Sequence, residues 1–208
     1  MSQSTCVKSN KNHPYTISEI NYKSVADSDN KQLYIDHLNK HIEAVNRSWN
    51  EILKPDLIKY RKTVGELSDE YISDGVLNNI TNNIKHHDAT SFMSDEMNGV
   101  MNSLFPDESQ KDNPLTTHMY ECARNLHYLR NNHHWQHWLT FRSIDGIGPV
   151  EMTFSSICHM LCYYSSSQFT QDKSMTAHLW WDSFDPKDKI HPTTSIEIER
   201  LLKISPKL

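Results

Sequence analysis

The chain has little glycine and few cysteines, and both shortages narrow the class of protein. Only 5 of its 208 residues are glycine, which is too few for the many tight turns of a β-rich protein. The four cysteines, Cys6, Cys122, Cys158 and Cys162, form no Cys-x-x-Cys pair and no regular framework, so a secreted disulfide scaffold is excluded. We therefore expect helices joined by short loops, with reduced thiols.

Long apolar runs and clustered basic charge are also missing. No stretch approaches the roughly 20 apolar residues of a membrane span, and the N-terminal region lacks the apolar segment of a signal peptide. The formal net charge is −5, and the basic residues are scattered along the chain rather than gathered in stripes. We expect a cytoplasmic protein with no membrane partner and no strong nucleic-acid signal, and the sequence leaves a homodimer open.

Apolar residues recur at intervals of three and four, which predicts an all-α fold. A chain of 208 residues is long enough for one sizeable core and too short to need two. Residues 1–28 are polar and lack periodicity, so we expect a flexible N-terminal arm followed by a helical domain over residues 29–208. The periodic segments number about seven or eight, and they predict a single-domain helical bundle.

Two of the predicted helices matter most for function. The first covers residues 29–53, contains His41 and is expected to end at Pro55, because proline disfavours helix in the residue before it. The second covers residues 115–141 and stops before the Gly-Ile-Gly-Pro break at residues 146–149.

The end of the second helix carries the most distinctive motif. Residues 127–138 read His-Tyr-Leu-Arg-Asn-Asn-His-His-Trp-Gln-His-Trp, and the whole chain has 13 histidines. In a helix, His127, Asn131 and His134 would lie at i, i+4 and i+7 and project from one face. The two tryptophans would exclude water. The motif therefore predicts a site for a metal or an anion.

Other residues able to bind metal lie on separate predicted helices. His41 lies near the edge of an apolar stripe, where a half-buried surface histidine is the better interpretation of that residue alone. His87 and Asp88 follow the end of another helix and offer one neutral nitrogen and one anionic oxygen to the same cation. His159 lies within an otherwise apolar helix, so its ring nitrogens need partners.

This set of residues resembles the HD superfamily of metal-dependent phosphohydrolases, in which a distant histidine, a His-Asp pair and a late acidic residue converge on a divalent cation. The closer resemblance is to an uncharacterised HD-like family of phage and bacterial proteins, over roughly residues 30–204. Three segments carry it: His-Ile-x-x-Val at residues 41–45, the His-Asp pair at 87–88, and Ala-x-x-x-His-x-x-x-Asn-x-His-His-Trp at 123–135. The last is the most specific.

The resemblance implies an HD-like bundle and assigns the metal ligands. These are His41, His87, Asp88 and His159. A cation held there would polarise a phosphoryl oxygen and lower the pKa of a bound water, which Asp88 would orient. The implied activity is therefore phosphohydrolysis of a nucleotide or another small phosphate ester.

The remaining site residues are expected to serve the substrate. His127, His133 and His134 would bind the phosphate or act as general acid, because imidazole titrates near working pH. Glu96 would support them from outside the metal's own ligands. Asn131 would join the same face for ligand binding, and Trp135 would close the cavity or stack on a base.

Two residues depart from the family pattern. Ser91 stands where the family usually has lysine, and His159 stands where it has aspartate. The loss of one negative charge should favour Zn²⁺, Mn²⁺ or Fe over Mg²⁺. The departures also keep two alternatives open, a non-catalytic binding protein on an HD-like fold and a di-iron HD-type oxygenase.

Overall fold

The computed structural model describes residues 28–208, except residues 67, 69–71, 109, 143–145 and 171–174. Within these residues it contains eight α-helices and one two-stranded sheet. The helices are α1 (Ser28–Arg47), α2 (Lys54–Val64), α3 (Asp74–Lys85), α4 (Ser94–Leu104), α5 (Pro114–Arg130), α6 (Phe154–Ser165), α7 (Ala177–Ser183) and α8 (Pro192–Ile204). The predicted all-α bundle is confirmed. The predicted arm, residues 1–28, lies outside the described residues except for Ser28.

Helices α1 and α2 form one helical path, so the prediction that Pro55 ends the first helix is wrong. Between them, Ser48–Leu53 forms a π-helix, at whose end the Lys54 N–H donates to the carbonyl of Trp49. Pro55 then lies in the first turn of α2, directly after the π-helix. Its missing N–H costs one helical hydrogen bond, but its ring fixes φ near a helical value, so the path continues through it.

Helix α5 ends at Arg130, well before the predicted end at Phe141. The backbone of Asn131 is extended, with φ −108° and ψ 109°. Its side-chain amide donates to the carbonyl of His127 at 2.9 Å and to Thr90 Oγ1 at 2.7 Å. The backbone N–H of Asn131 still donates to the same carbonyl at 3.0 Å, so the side-chain amide adds a second bond there and a first bond to the distant Thr90. The predicted helix over residues 131–141 is wrong, because this cap turns the chain away.

A short hairpin stands near the end of the predicted helix. Strand β1 (Leu139–Arg142) pairs antiparallel with β2 (Gly146–Pro149), with Leu139 opposite Pro149. Gly146 has φ 79°, a conformation that glycine adopts without steric strain. The sequence predicts only a break here, because such short strands give too little alternation to be recognised.

Two hydrophobic clusters hold the helices together. The larger cluster surrounds α6 and includes the buried free thiols of Cys158 and Cys162. In the smaller cluster, Tyr34 and Leu38 of α1 pack on Met101 of α4. On α1, His41 lies between Leu38, which packs in the smaller cluster, and Val45, which packs in the larger cluster.

The described helices include none with both the length and the apolar character that a bilayer crossing requires.

Candidate metal centre

The chain turns sharply after α3 and directs two adjacent side chains inward. Asp88 adopts the left-handed conformation, with φ 53° and ψ 25°, which aspartate tolerates better than most residues with a side chain. The Ser91 N–H donates to the carbonyl of Asp88 at 2.8 Å and holds the turn. As a result His87 and Asp88 are buried, while the preceding His86 is exposed.

The carboxylate of Asp88 faces four imidazoles. Its Oδ2 lies 3.3 Å from His87 Nε2 and 3.6 Å from His41 Nε2. Its Oδ1 lies 3.4 Å from His127 Nε2 and 3.3 Å from His133 Nε2. Side chains from α1, α5, the turn after α3 and the loop after α5 thus meet around one aspartate.

Two further histidines extend this group into a histidine cluster of six rings. His134 Nε2 lies 2.8 Å from His127 Nε2, and His159 Nε2 lies 2.8 Å from His87 Nδ1. His41 Nε2 and His87 Nε2 are 2.9 Å apart. Two neutral rings at such a distance must share a proton or a cation, because two facing lone pairs repel each other.

Burial lowers the pKa of five of these imidazoles, and neighbouring histidines lower it further. The five are His41, His87, His133, His134 and His159. For His134 the pKa falls to about 2. These rings are therefore neutral at pH 7, and each keeps a nitrogen lone pair that a cation can use.

The cluster fits a metal ion. Ligands about 2.1 Å from zinc in tetrahedral geometry lie about 3.4 Å from one another, close to the distances between Asp88 and its four histidines. Three groups have ligand atoms within 4.8 Å of one another: Asp88 with His127, His133 and His134; His87 with His133 and His159; and His41 with His87 and Asp88. These side chains can hold a metal ion.

Buried atoms without a protein partner support the same conclusion. Asp88 Oδ1, His133 Nε2 and His159 Nδ1 are buried and have no hydrogen-bond partner. An unpaired buried carboxylate oxygen carries a large desolvation cost. A bound cation would remove that cost at Asp88 and at His133.

Glu96 lies behind His127 rather than beside Asp88. It is 1% exposed, and its Oε2 lies 3.0 Å from His127 Nδ1 and accepts a hydrogen bond from Thr90 Oγ1 at 2.9 Å. Arg130 donates to its Oε1 at 2.9 Å. Glu96 is therefore placed to orient the His127 ring so that Nε2 points at Asp88, and it lies outside the candidate ligand groups.

His159 does not face Asp88, although the sequence predicts it as one of the four metal ligands. Its Nε2 contacts the far nitrogen of His87, and the ring is 3% exposed. A hydrogen bond from His87 Nδ1 to His159 would leave His87 Nε2 as the acceptor that points at Asp88. His127 and His133, predicted for the substrate, face Asp88 together with the predicted ligands His41 and His87.

The predicted ligand-binding roles of Asn131 and Trp135 assumed a helix that in the structure ends earlier. The Asn131 amide caps α5 and contacts Thr90, and the residue lines a cleft beside Asp88. Trp135 packs its ring against Phe184 at a centroid distance of 5.4 Å, at the border of the larger hydrophobic cluster. It lines neither of the two clefts that reach Asp88.

Two clefts reach Asp88 from different sides. The tyrosine cleft has a volume of about 210 Å³, and its walls include Tyr34, Tyr120, Tyr128, Tyr163 and Arg124. The asparagine cleft has a volume of about 330 Å³, and its walls include Asn82, Asn83, Asn131, Asn132, His133 and His159.

Sequence reasoning missed the tyrosine cleft. Tyr163 contacts four histidine rings, among them His133 at 5.7 Å and His134 at 5.1 Å between centroids. Its position one helical turn after His159 was the available signal, because residues at i and i+4 share a helix face. The Arg124 guanidinium lies 5.6 Å from the centroid of the Tyr120 ring.

Fold and site together define a helical protein with a buried histidine–aspartate cluster that can hold a metal ion. The chain belongs to DUF5662, a family of unknown function, whose model matches residues 30–204 and so spans the whole cluster. No curated protein and no solved structure matches it.

Proposed function

We propose that this protein is a metal-dependent phosphohydrolase of HD type that acts on a nucleotide or another small phosphate ester. One observation carries the proposal. The buried carboxylate of Asp88 faces four imidazoles and also lines a cleft that contains Arg124. Asp88 and the imidazoles suit a cation, and an arginine guanidinium suits a phosphate.

The ligand chemistry favours Zn²⁺, Mn²⁺ or Fe. His41, His87, His127 and His133 surround Asp88, which is the single carboxylate in the candidate ligand groups of the described residues. Mg²⁺ prefers oxygen ligands, whereas the three favoured ions accept imidazole nitrogen readily. In this proposal His159 orients His87 from behind.

The tyrosine cleft suits the organic part of a small ester. The partly exposed rings of Tyr120, Tyr128 and Tyr163 offer stacking surfaces for a base or a sugar. Its volume of about 210 Å³ is below the usual range for drug-sized ligands, about 300–1,000 Å³. We infer a substrate no larger than a mononucleotide.

The roles of the residues follow from their positions. A divalent cation in this cluster would polarise a phosphoryl oxygen and lower the pKa of a water. Asp88 supplies the negative charge that attracts the cation. His134 lines the tyrosine cleft, and burial keeps its pKa low, which suits a hydrogen bond to phosphate better than the role of general acid. Arg124 would bind the phosphate charge.

Two alternatives are weaker. The first is a di-iron oxygenase of HD type. Two of the three candidate ligand groups share Asp88, which suits two ions, but paired irons usually take several carboxylates, and Glu96 is occupied by His127 and Arg130. The second alternative is a metal-binding protein without catalysis, and the residue that motivates it is Ser91. Its Oγ lies 3.3 Å from His127 Nδ1, at the position where the HD-like family that the sequence resembles usually has lysine.

The test is metal analysis of the purified protein together with phosphate release from a panel of nucleotides and phosphate esters in Mn²⁺ or Zn²⁺. We expect turnover of at least one ester. Asp88→Asn should lower both metal affinity and turnover by at least about tenfold, and asparagine accepts the left-handed backbone of this position.

The matched control is Asp36→Asn, the same change at an exposed carboxylate of α1, which should alter neither quantity. Metal binding without turnover of any ester would favour the non-catalytic alternative. Absence of bound metal in the wild-type protein would overturn the proposal altogether.

A further inference from the structure

The asparagine cleft differs in chemistry from the tyrosine cleft. Asn83 donates to Ser155 Oγ at 2.8 Å, and Asn131 is used to cap α5. Arg130 reaches this cleft as well, but its guanidinium is paired with Asp95 and Glu96. Because that positive charge is neutralised, the cleft offers hydrogen bonds without a strong attraction for a phosphate dianion.

Two rings of the histidine cluster line the asparagine cleft and are absent from the walls of the tyrosine cleft. These are His133 and His159. His159 has a buried ring nitrogen without a hydrogen-bond partner, Nδ1, whereas the Nε2 of His133 faces Asp88 at 3.3 Å. Each ring is at least nine-tenths buried, being 2% and 3% exposed. Polar atoms of this kind are normally satisfied by ordered water or a small ligand.

Asp88 lines both clefts, so the histidine cluster lies between them. Hydrolysis of a phosphate ester needs one water per turnover. The water oxygen forms a bond to phosphorus, the ester P–O bond breaks, and the proton of the water passes to the leaving oxygen. In-line displacement places the water and the leaving group on opposite sides of phosphorus.

We propose that the asparagine cleft is a second entrance to the histidine cluster, which admits water-sized ligands while the tyrosine cleft holds the organic ester. The inference rests on the proposed metal centre. It adds to that proposal separate roles for the two openings, which follow from their different linings and from the unpaired Nδ1 of His159 beside the asparagine cleft.

The test uses the full chain loaded with Co²⁺, whose visible absorption changes when azide binds, and measures azide association by stopped flow. Asn132→Trp places a large side chain at an exposed position of the asparagine cleft. We expect the association rate constant to fall about tenfold with little change in the dissociation constant, because an obstructed route slows entry and exit alike.

The matched control is Leu104→Trp, at a residue of the tyrosine cleft that is 46% exposed, and it should leave azide association unchanged. Asn82→Trp, at another exposed position of the asparagine cleft, should repeat the slowing if Asn132→Trp fails to fold. Normal rates in a folded asparagine-cleft variant, or slowing only in Leu104→Trp, would overturn the second entrance and leave the metal centre standing. Failure of the wild-type protein to bind Co²⁺ would overturn both.

Discussion

At the scale of single residues, the ring of His127 is held between two acids. Glu96 Oε2 lies 3.0 Å from its Nδ1, and Asp88 Oδ1 lies 3.4 Å from its Nε2. A carboxylate behind a ligand histidine fixes which nitrogen carries the proton and raises the basicity of the other. Glu96 is buried and is itself fixed by Arg130, so the orientation of His127 depends on the contact between Glu96 and Arg130.

Replacement of Glu96 by glutamine should therefore weaken metal binding without removing any proposed ligand. We expect Glu96→Gln to lower the affinity for Zn²⁺ by about 10–100-fold, because a neutral amide orients the His127 ring less firmly. Isothermal titration with a competing chelator measures the change.

The comparison variant is Asp95→Asn. Asp95 is the other acidic partner of Arg130, but it is exposed and makes no described contact with His127. An equal loss of affinity in both variants would mean that Arg130, and not the orientation of His127, is what matters.

At the scale of elements, the site depends on how closely α4 and α5 approach each other. Glu96 belongs to α4 and His127 to α5. Gly99 lies at their crossing, where an added Cβ would lie 2.5 Å from the carbonyl oxygen of Met119 and 2.6 Å from Ala123 Cβ. Neither neighbour is the end of a flexible side chain, so the helices would have to separate.

Gly99→Ala should destabilise the protein by about 1–3 kcal/mol, as overpacking usually does, and should also weaken metal binding as Glu96 moves away from His127. Urea denaturation and Zn²⁺ titration measure the two effects. Gly75→Ala is the control, since its Cβ would meet nothing closer than Ser73 Oγ at 3.7 Å, and alanine stabilises a helix relative to glycine. Equal stability of the two variants would contradict the close crossing.

At the scale of the whole molecule, a polar cluster lies between two apolar clusters. The histidine cluster adjoins the larger core through α6 and the smaller core through α1. Burial lowers the pKa of five of its histidines. In the unfolded chain the same residues titrate near pH 6.5. Below that pH the unfolded chain binds protons that the folded, metal-free protein does not.

The free energy of unfolding of the metal-free protein should therefore fall as the pH drops below about 6.5. With several histidines acting together, the slope should exceed about 1.4 kcal/mol per pH unit, the value for one group. Urea denaturation in a chelator between pH 7 and pH 5.5 measures it. His87→Gln should reduce the slope, and His118→Gln, at an exposed position of α5, should not. A flat profile would contradict the burial of neutral imidazoles.

The sequence by itself determined the helical class and the chemistry of the site. The spacing of apolar residues predicts helices because it follows the 3.6-residue turn of the helix itself. The side chains of His41, His87 and Asp88 offer imidazole nitrogen and carboxylate oxygen, which fixes the kind of ligand they can bind. These three residues, predicted together, do lie together around one carboxylate.

Only the tertiary structure decided the directions of the side chains. Helix α5 ends where Asn131 reaches Thr90, a contact between residues far apart in sequence that no local pattern contains. That cap removes Trp135 from the site and brings His133 to Asp88. The packing of α6 likewise places His159 behind His87. The identity of each residue sets which ligands it can bind. Which atoms face each other is decided by contacts between residues far apart in sequence, because those contacts form only when the whole chain is packed.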